Sequence, residues 1–139
     1  MPEVNDWNKH VIEEFRANEG RVGGNFEGAP VLLLTTMGAK SGLKRVNPMM
    51  YLRLDEAGDT VYVFASKAGA PTSPDWYHNL VANPSVTVEI GTGTFEATAS
   101  VVTGEERDRI YAEQATRYPG FADYQEKTDR LIPVVALRR

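Results

Sequence analysis

The sequence predicts a small α+β protein, mainly β, in which about six antiparallel strands form a barrel with peripheral helices. Three observations predict it. Short β-branched runs are joined by tight turns, and helical spacing is confined to the start, one crossover and the region near the end. A doubly wound sheet is excluded, because strand–helix–strand alternation and a Gly-x-Gly-x-x-Gly after a strand are both missing. With 139 residues, 42% hydrophobic and 24% charged, the chain suits one domain with its own core. Residues 1–30 supply a helix and a connection, and 31–139 the barrel.

Residues Asn5 to Glu19 set Trp7, Val11, Ile12 and Phe15 at helical spacing, with Asn5 or Asp6 able to cap the free amides. Gly20-Arg21-Val22-Gly23-Gly24 stops that helix and opens a polar connection running through Gly28 to Pro30. Strands are expected at Val31–Thr36, Val46–Leu54 and Thr60–Ser66, the last two joined by the turn Glu56-Ala57-Gly58-Asp59. Ser73-Pro74 reads as an N-cap followed by proline at the first helical position, starting a helix to about Ala82 that Asn83-Pro84 ends. Ser85–Ile90 and Thr94–Val102 form a hairpin around Gly91-Thr92-Gly93. Thr103-Gly104-Glu105-Glu106 is a capping box for a helix to about Arg117. Tyr118-Pro119-Gly120 breaks it, Phe121–Arg130 is helical again, and Pro133–Leu137 closes as a strand.

The absence of cysteine excludes disulfides, thiolate metal sites and a cysteine nucleophile. His10 and His78 lie on different helices without a His-Glu-x-x-His pattern, so no metal site is expected. The apolar runs fall short of the ~18 residues of a spanning helix, and Met1-Pro2-Glu3-Val4 lacks a signal peptide's regions. A cytoplasmic location is expected without stable membrane insertion. The first helix either packs on the barrel, the favoured reading, or touches a membrane surface peripherally. Net charge is −4, which argues against nucleic acid as a partner. Its distribution is uneven: Lys40, Lys44 and Arg45 stand without an acid between Thr35 and Pro48, leaving twelve basic against nineteen acidic residues elsewhere. An anion site on an acidic body follows.

Met37-Gly38-Ala39-Lys40-Ser41-Gly42-Leu43-Lys44-Arg45-Val46-Asn47-Pro48 is where that site falls. Glycines let the backbone turn with exposed amides, and Arg45 can grip a phosphate or carboxylate at two points. The phosphate-loop spacing of Gly-x4-Gly-Lys-Ser/Thr is missing, and the Ser-x-x-Lys match at Ser41–Lys44 lacks its partner motifs. A second small-residue loop, Ser66-Lys67-Ala68-Gly69, ends a strand ahead of the helix start at Ser73-Pro74-Asp75-Trp76. Two loops at strand ends suit one long anionic ligand. Tyr118, Phe121 and Tyr124, spaced by three, share one face, as core or as a pocket wall.

In order and spacing, Leu34–Gly42 with Arg45-Val46-Asn47-Pro48, Ser66-Lys67-Ala68-Gly69, Pro74-Asp75-Trp76-Tyr77-His78-Asn79-Leu80, Asn83-Pro84 and Tyr118-Pro119 with Tyr124 resemble the deazaflavin (F420)-dependent nitroreductase and F420H2-dependent quinone reductase family. The likeness spans roughly Val31 to the C-terminus. It implies a split β-barrel like that of the FMN-binding proteins, with reduced coenzyme F420 as cofactor. It also implies hydride transfer to a quinone, enone or nitroaromatic acceptor. Lys40, Ser41, Gly42, Lys44 and Arg45 would hold the phosphate and oligoglutamate tail. Val46, Asn47, Pro48, Ser66, Lys67, Ala68 and Trp76 would lie along the coenzyme, and Met50, Trp76, Tyr118, Phe121 and Tyr124 on the substrate side. Met50 and Phe121 stand where nitroimidazole-reducing members are expected to carry tyrosine, which argues against nitro-drug activation. Tyr118, Tyr124 and Ser66 are the candidates for orienting the acceptor and stabilising developing charge. The alternatives are a non-catalytic deazaflavin or lipid carrier, or an FMN- or haem-binding barrel, as a monomer or a homodimer.

Overall fold

Period-two alternation sorts the apolar strand residues onto two faces, and each face buries against different partners. The computed structural model describes residues 6–18, 20, 30–54, 60–66, 73–128 and 131–139. Along the chain run α1 (Asp6–Ala17), β1 (Val31–Met37), β2 (Lys44–Met50), β3 (Thr60–Phe64), α2 (Asp75–Ala82), β4 (Ser85–Ile90), β5 (Gly93–Val102), α3 (Gly104–Arg117), α4 (Gly120–Glu126) and β6 (Val134–Arg138). The strands make one sheet in the order β2-β1-β4-β5-β6-β3, with every adjacent pair antiparallel. It curls until its edge strands approach. Leu52, just beyond β2, then exchanges both backbone hydrogen bonds with Tyr62 of β3, at 2.8 and 2.9 Å. Among the described residues that bridge is the only backbone pairing between the two edge strands, and the sheet is a split β-barrel.

Leu32 and Leu34 of β1, Met49 of β2, Val61 and Val63 of β3, Val86 and Val88 of β4, Ala97 and Ala99 of β5, and Val135 and Leu137 of β6 fill the interior. Trp76 and Leu80 of α2 join the same cluster. Alternate residues face outward. Val31 and Leu33 pack under Val11, Ile12 and Phe15 of α1. Phe64, Val102, Val134 and Ala136 pack with Ile110 and Tyr111 of α3 and Phe121 of α4. Strands β1 and β6 are therefore covered on both faces, which is why Val31–Leu34 and Val134–Leu137 read as unbroken apolar runs.

Helix α1 packs on the barrel through Val11 and Phe15 rather than presenting them outward. Gly20 ends this region: its N–H donates to the Phe15 carbonyl at 2.8 Å, its φ is +93°, and an added Cβ would meet Gly91 Cα at 2.6 Å. Arg16 then grips Glu89 of β4 at 2.9 and 3.3 Å. Hydrogen bonding to that carboxylate pushes the Arg16 pKa up, against the desolvation that opposes it. Among the described residues no helix is long and apolar enough to cross a membrane.

The element boundaries correct several expectations. Strand β2 covers Lys44–Met50 rather than Val46–Leu54. The β1 register extends to Met37↔Lys44 at one end, and at the other β1 runs out where Tyr51 N–H reaches the Pro30 carbonyl. Pro74, not Ser73, is the N-cap of α2, with extended backbone and no side-chain cap bond. Thr103 does precede α3, but its side chain makes no cap bond, so the capping box is not formed. Helix α4 begins at Gly120 and ends at Glu126 instead of reaching Arg130. The Asn5 cap, the polar connection at 21–29 and the turn Glu56–Asp59 lie outside the described residues.

Candidate active site

The β1–β2 hairpin ends in a six-residue loop that closes on itself. Gly38 N–H donates to the Leu43 carbonyl at 2.7 Å, Gly42 N–H to the Gly38 carbonyl at 3.0 Å, and Leu43 N–H to Ser41 Oγ at 3.2 Å. Gly42 sits at φ +70°, the left-handed region that favours glycine, and at Gly38 an added Cβ would fall 2.4 Å from Ser41 Oγ, which would have to turn away. Lys40, Ser41, Gly42 and Lys44 are exposed and Arg45 is half-buried. Among the described residues Lys40 and Lys44 make no ion pair. Arg45 leans back over the loop, Nη2 to Ser41 Oγ at 3.5 Å. Three cations around a tight, open turn fit an anionic group, phosphate or carboxylate.

Asn79 of α2 attaches this loop to the barrel. Its Oδ1 accepts the Ala39 N–H at 3.0 Å and its Nδ2 donates to Thr36 Oγ1 at 3.2 Å. Both side chains are buried. No role for Asn79 is expected from the sequence, although Asn79 falls within a motif that carries the resemblance. A lone asparagine mid-helix gives no sign of which backbone it will meet.

Strand alternation divides the residues expected along β2. Arg45, Asn47 and Met49 share the parity of Thr36, Leu34 and Leu32 opposite them, on the barrel side. Val46, Pro48 and Met50 lie opposite Thr35, Leu33 and Val31, and Val46 and Met50 pack against the α1 cluster. Continuing the antiparallel register from Leu52↔Tyr62 sets position 50 towards 64 and position 48 towards 66. That register assigns Pro48 and Ser66 to opposite edges of the split. Lys67 and Ala68 lie outside the described residues.

On the outer face Met50, Tyr118, Phe121 and Tyr124 come together. Phe121 is 9% exposed, with ring centroids 5.6 Å from Phe64, 6.4 Å from Tyr111 and 5.2 Å from Tyr124. It is a packing residue of this cluster, and Met50, Tyr118 and Tyr124 pack half-buried at its border. Among the described residues the hydroxyls of Tyr118 and Tyr124 have no hydrogen-bond partner. Trp76 is separate from this group, 8% exposed in the barrel interior. His10 and His78 are exposed.

Helix α4 is held by a clamp of polar residues for which no role is expected from the sequence. Arg107, only 5% exposed, donates to the Ile132 carbonyl at 2.8 and 3.1 Å and to Gln125 Oε1 at 2.8 Å. Gln125 Oε1 also accepts the Ile132 N–H, and the Tyr111 hydroxyl donates to the Phe121 carbonyl. An arginine at helical spacing gives no sequence signal of burial, since most are solvated.

A family profile for F420H(2)-dependent quinone reductase matches residues 7–139. A curated relative, the F420H(2)-dependent quinone reductase Rv1261c of Mycobacterium tuberculosis, is 41% identical over 132 residues, covering 90% of this chain and 85% of that protein. A solved structure described as an F420-H2 dependent reductase is 45% identical, with a TM-score of 0.68 over 78% of this chain and 94% of that one. Another, described as a domain-swapped dimer, is 41% identical, with a TM-score of 0.70 over 94% and 93%. On this match, which runs from α1 through the basic loop, the split and the α3–α4 cluster, the chain belongs to the F420H(2)-dependent quinone reductase family.

Proposed function

We propose that the split between β2 and β3 is where this chain reduces its acceptor, with the coenzyme's anionic tail on the Lys40–Arg45 loop and the acceptor against Tyr118 and Tyr124. The chain is an oxidoreductase that transfers hydride from reduced coenzyme F420 to a quinone, and family membership over residues 7–139 carries that conclusion. A non-catalytic carrier is not favoured.

Reduced F420 supplies the hydride, two electrons with one proton, and the acceptor takes one further proton to become a hydroquinone. The protein's part is position, dryness and charge. Lys40, Lys44 and Arg45 bind phosphate and carboxylate, which fixes the far end of the coenzyme and leaves the ring end to the split. Pro48 and Ser66, on opposite edges, line that gap. The half-buried hydroxyls of Tyr118 and Tyr124, without partners among the described residues, donate to the quinone oxygen as negative charge develops there. Met50 and Phe121 offer no hydroxyl, so their part is shape. Enones and nitroaromatics of similar size are further acceptors under this reading. A homodimer is the proposed assembly, because a solved relative at 41% identity is a domain-swapped dimer.

The test is the oxidation of F420H2 by menadione in the presence of the protein, followed by the return of oxidised-coenzyme absorbance. Turnover that requires both protein and quinone is expected. Oxidation no faster than in buffer contradicts the assignment.

A further inference from the structure

Asn79 is 7% exposed on α2, yet both polar ends of its side chain leave the helix. One accepts the N–H of Ala39, the residue before Lys40, and the other donates to Thr36, the last buried side chain of β1. The remaining backbone bonds of the loop, Gly38 to Leu43 and Gly42 to Gly38, run within it. They shape the turn without fixing where it points. An exposed loop that must order itself around a ligand loses affinity through the lost backbone freedom, and a bond made beforehand removes part of that loss. Among the described residues Lys40 makes no ion pair, so the segment that Asn79 holds carries a cation with its charge to offer.

We propose that Asn79 is a positioning residue for anion recognition: through Ala39 it presets the Lys40–Ser41 turn to receive the phosphate or carboxylates of the coenzyme tail. The inference rests on the assignment of the loop at 38–45 to that tail. It distinguishes Asn79 from an ordinary buried asparagine, whose loss lowers stability without regard to which cation is present. The helix that delivers Trp76 to the core thus also sets the cationic turn.

A double-mutant cycle tests it. Oxidised F420 is titrated against tryptophan fluorescence in the full chain and in Asn79→Leu, which keeps the branched shape of the side chain and removes both bonds. The same titrations are made in Lys40→Ala and in the double variant. The expected result is about tenfold weaker binding from N79L in the parent, the effect of one buried hydrogen bond, and less than about twofold in the K40A background. Equal losses in both backgrounds, or none in the parent, overturn the proposal. Thr36→Val leaves Asn79 in place but unpins its amide, and decides the matter if N79L does not fold. A smaller loss, about threefold, that vanishes with K40A is expected, and an additive or absent loss overturns the proposal. A K40A chain that binds as tightly as the parent refutes the tail assignment itself, and a weakened K40A with additive N79L refutes only the role of Asn79.

Discussion

Tyr124 and Phe121 touch edge to face, yet they belong to different kinds of residue. Phe121 is held by Phe64 and Tyr111, so Phe121→Ala is expected to cost about 3–5 kcal/mol of stability, read as a lower midpoint in urea unfolding. Tyr124→Phe and Tyr118→Phe remove only hydroxyls without partners among the described residues, and are expected to leave that midpoint in place. The same two changes are expected to lower kcat/KM for menadione by roughly tenfold each, as lost hydrogen bonds to developing charge. Unchanged turnover in both at saturating coenzyme would remove them from the chemistry. Spacing by three placed these rings on one face from the sequence, but it could not say which one faces the core. That depends on Phe64 and Tyr111, 57 and 10 residues away. Asn79 and Arg107 were illegible for the same reason, since their partners Ala39 and Ile132 become neighbours only once the sheet has curled.

Among the elements, the β1–β2 hairpin was the most readable, because its charge, its glycines and its alternation all lie within about a dozen residues. Its strand boundary was not, since Lys44 and Arg45 look like loop residues until Met37 and Thr36 pair with them. The turn makes a prediction of its own. Gly42→Ala forces a side chain into φ +70° and is expected to cost about 1 kcal/mol, read as a modest fall in the unfolding midpoint. Gly38→Ala drives a Cβ onto Ser41 Oγ, breaks the Ser41–Leu43 contact and weakens coenzyme binding more than G42A does, as titration of tryptophan fluorescence would show. The expected caps misled, since Pro74 rather than Ser73 takes the N-cap of α2 and Thr103 caps α3 without a side-chain bond, and the helices rely on burying Trp76, Leu80, Ile110 and Tyr111 instead.

For the molecule as a whole, α1 covers one outer face of the barrel and its attachment is testable. Arg16–Glu89 joins it to β4 at the surface, with Arg16 half-exposed, so Arg16→Ala is expected to cost no more than about 1 kcal/mol, and less at high salt. The sign for pH follows from the raised guanidinium pKa. This contribution is complete below the ordinary arginine range and fades only as pH climbs through the raised value. Denaturation midpoints of the parent and R16A are therefore expected to differ by the same amount from neutral to mildly alkaline pH. Barrel class and strand order of appearance were legible because period-two patterning is local. The split came from the family resemblance rather than from patterning, because among the described residues the edges meet only at Leu52↔Tyr62, which periodicity does not mark. The most direct measurement of the central claim is tryptophan quenching on titration with oxidised F420, beside FMN and beside a Lys40→Ala/Arg45→Ala double variant. Saturable F420 binding, weakened at least about tenfold in the double variant and without comparable FMN affinity, is the predicted result. Tight FMN binding with no response to F420, or F420 affinity indifferent to both substitutions, would contradict it.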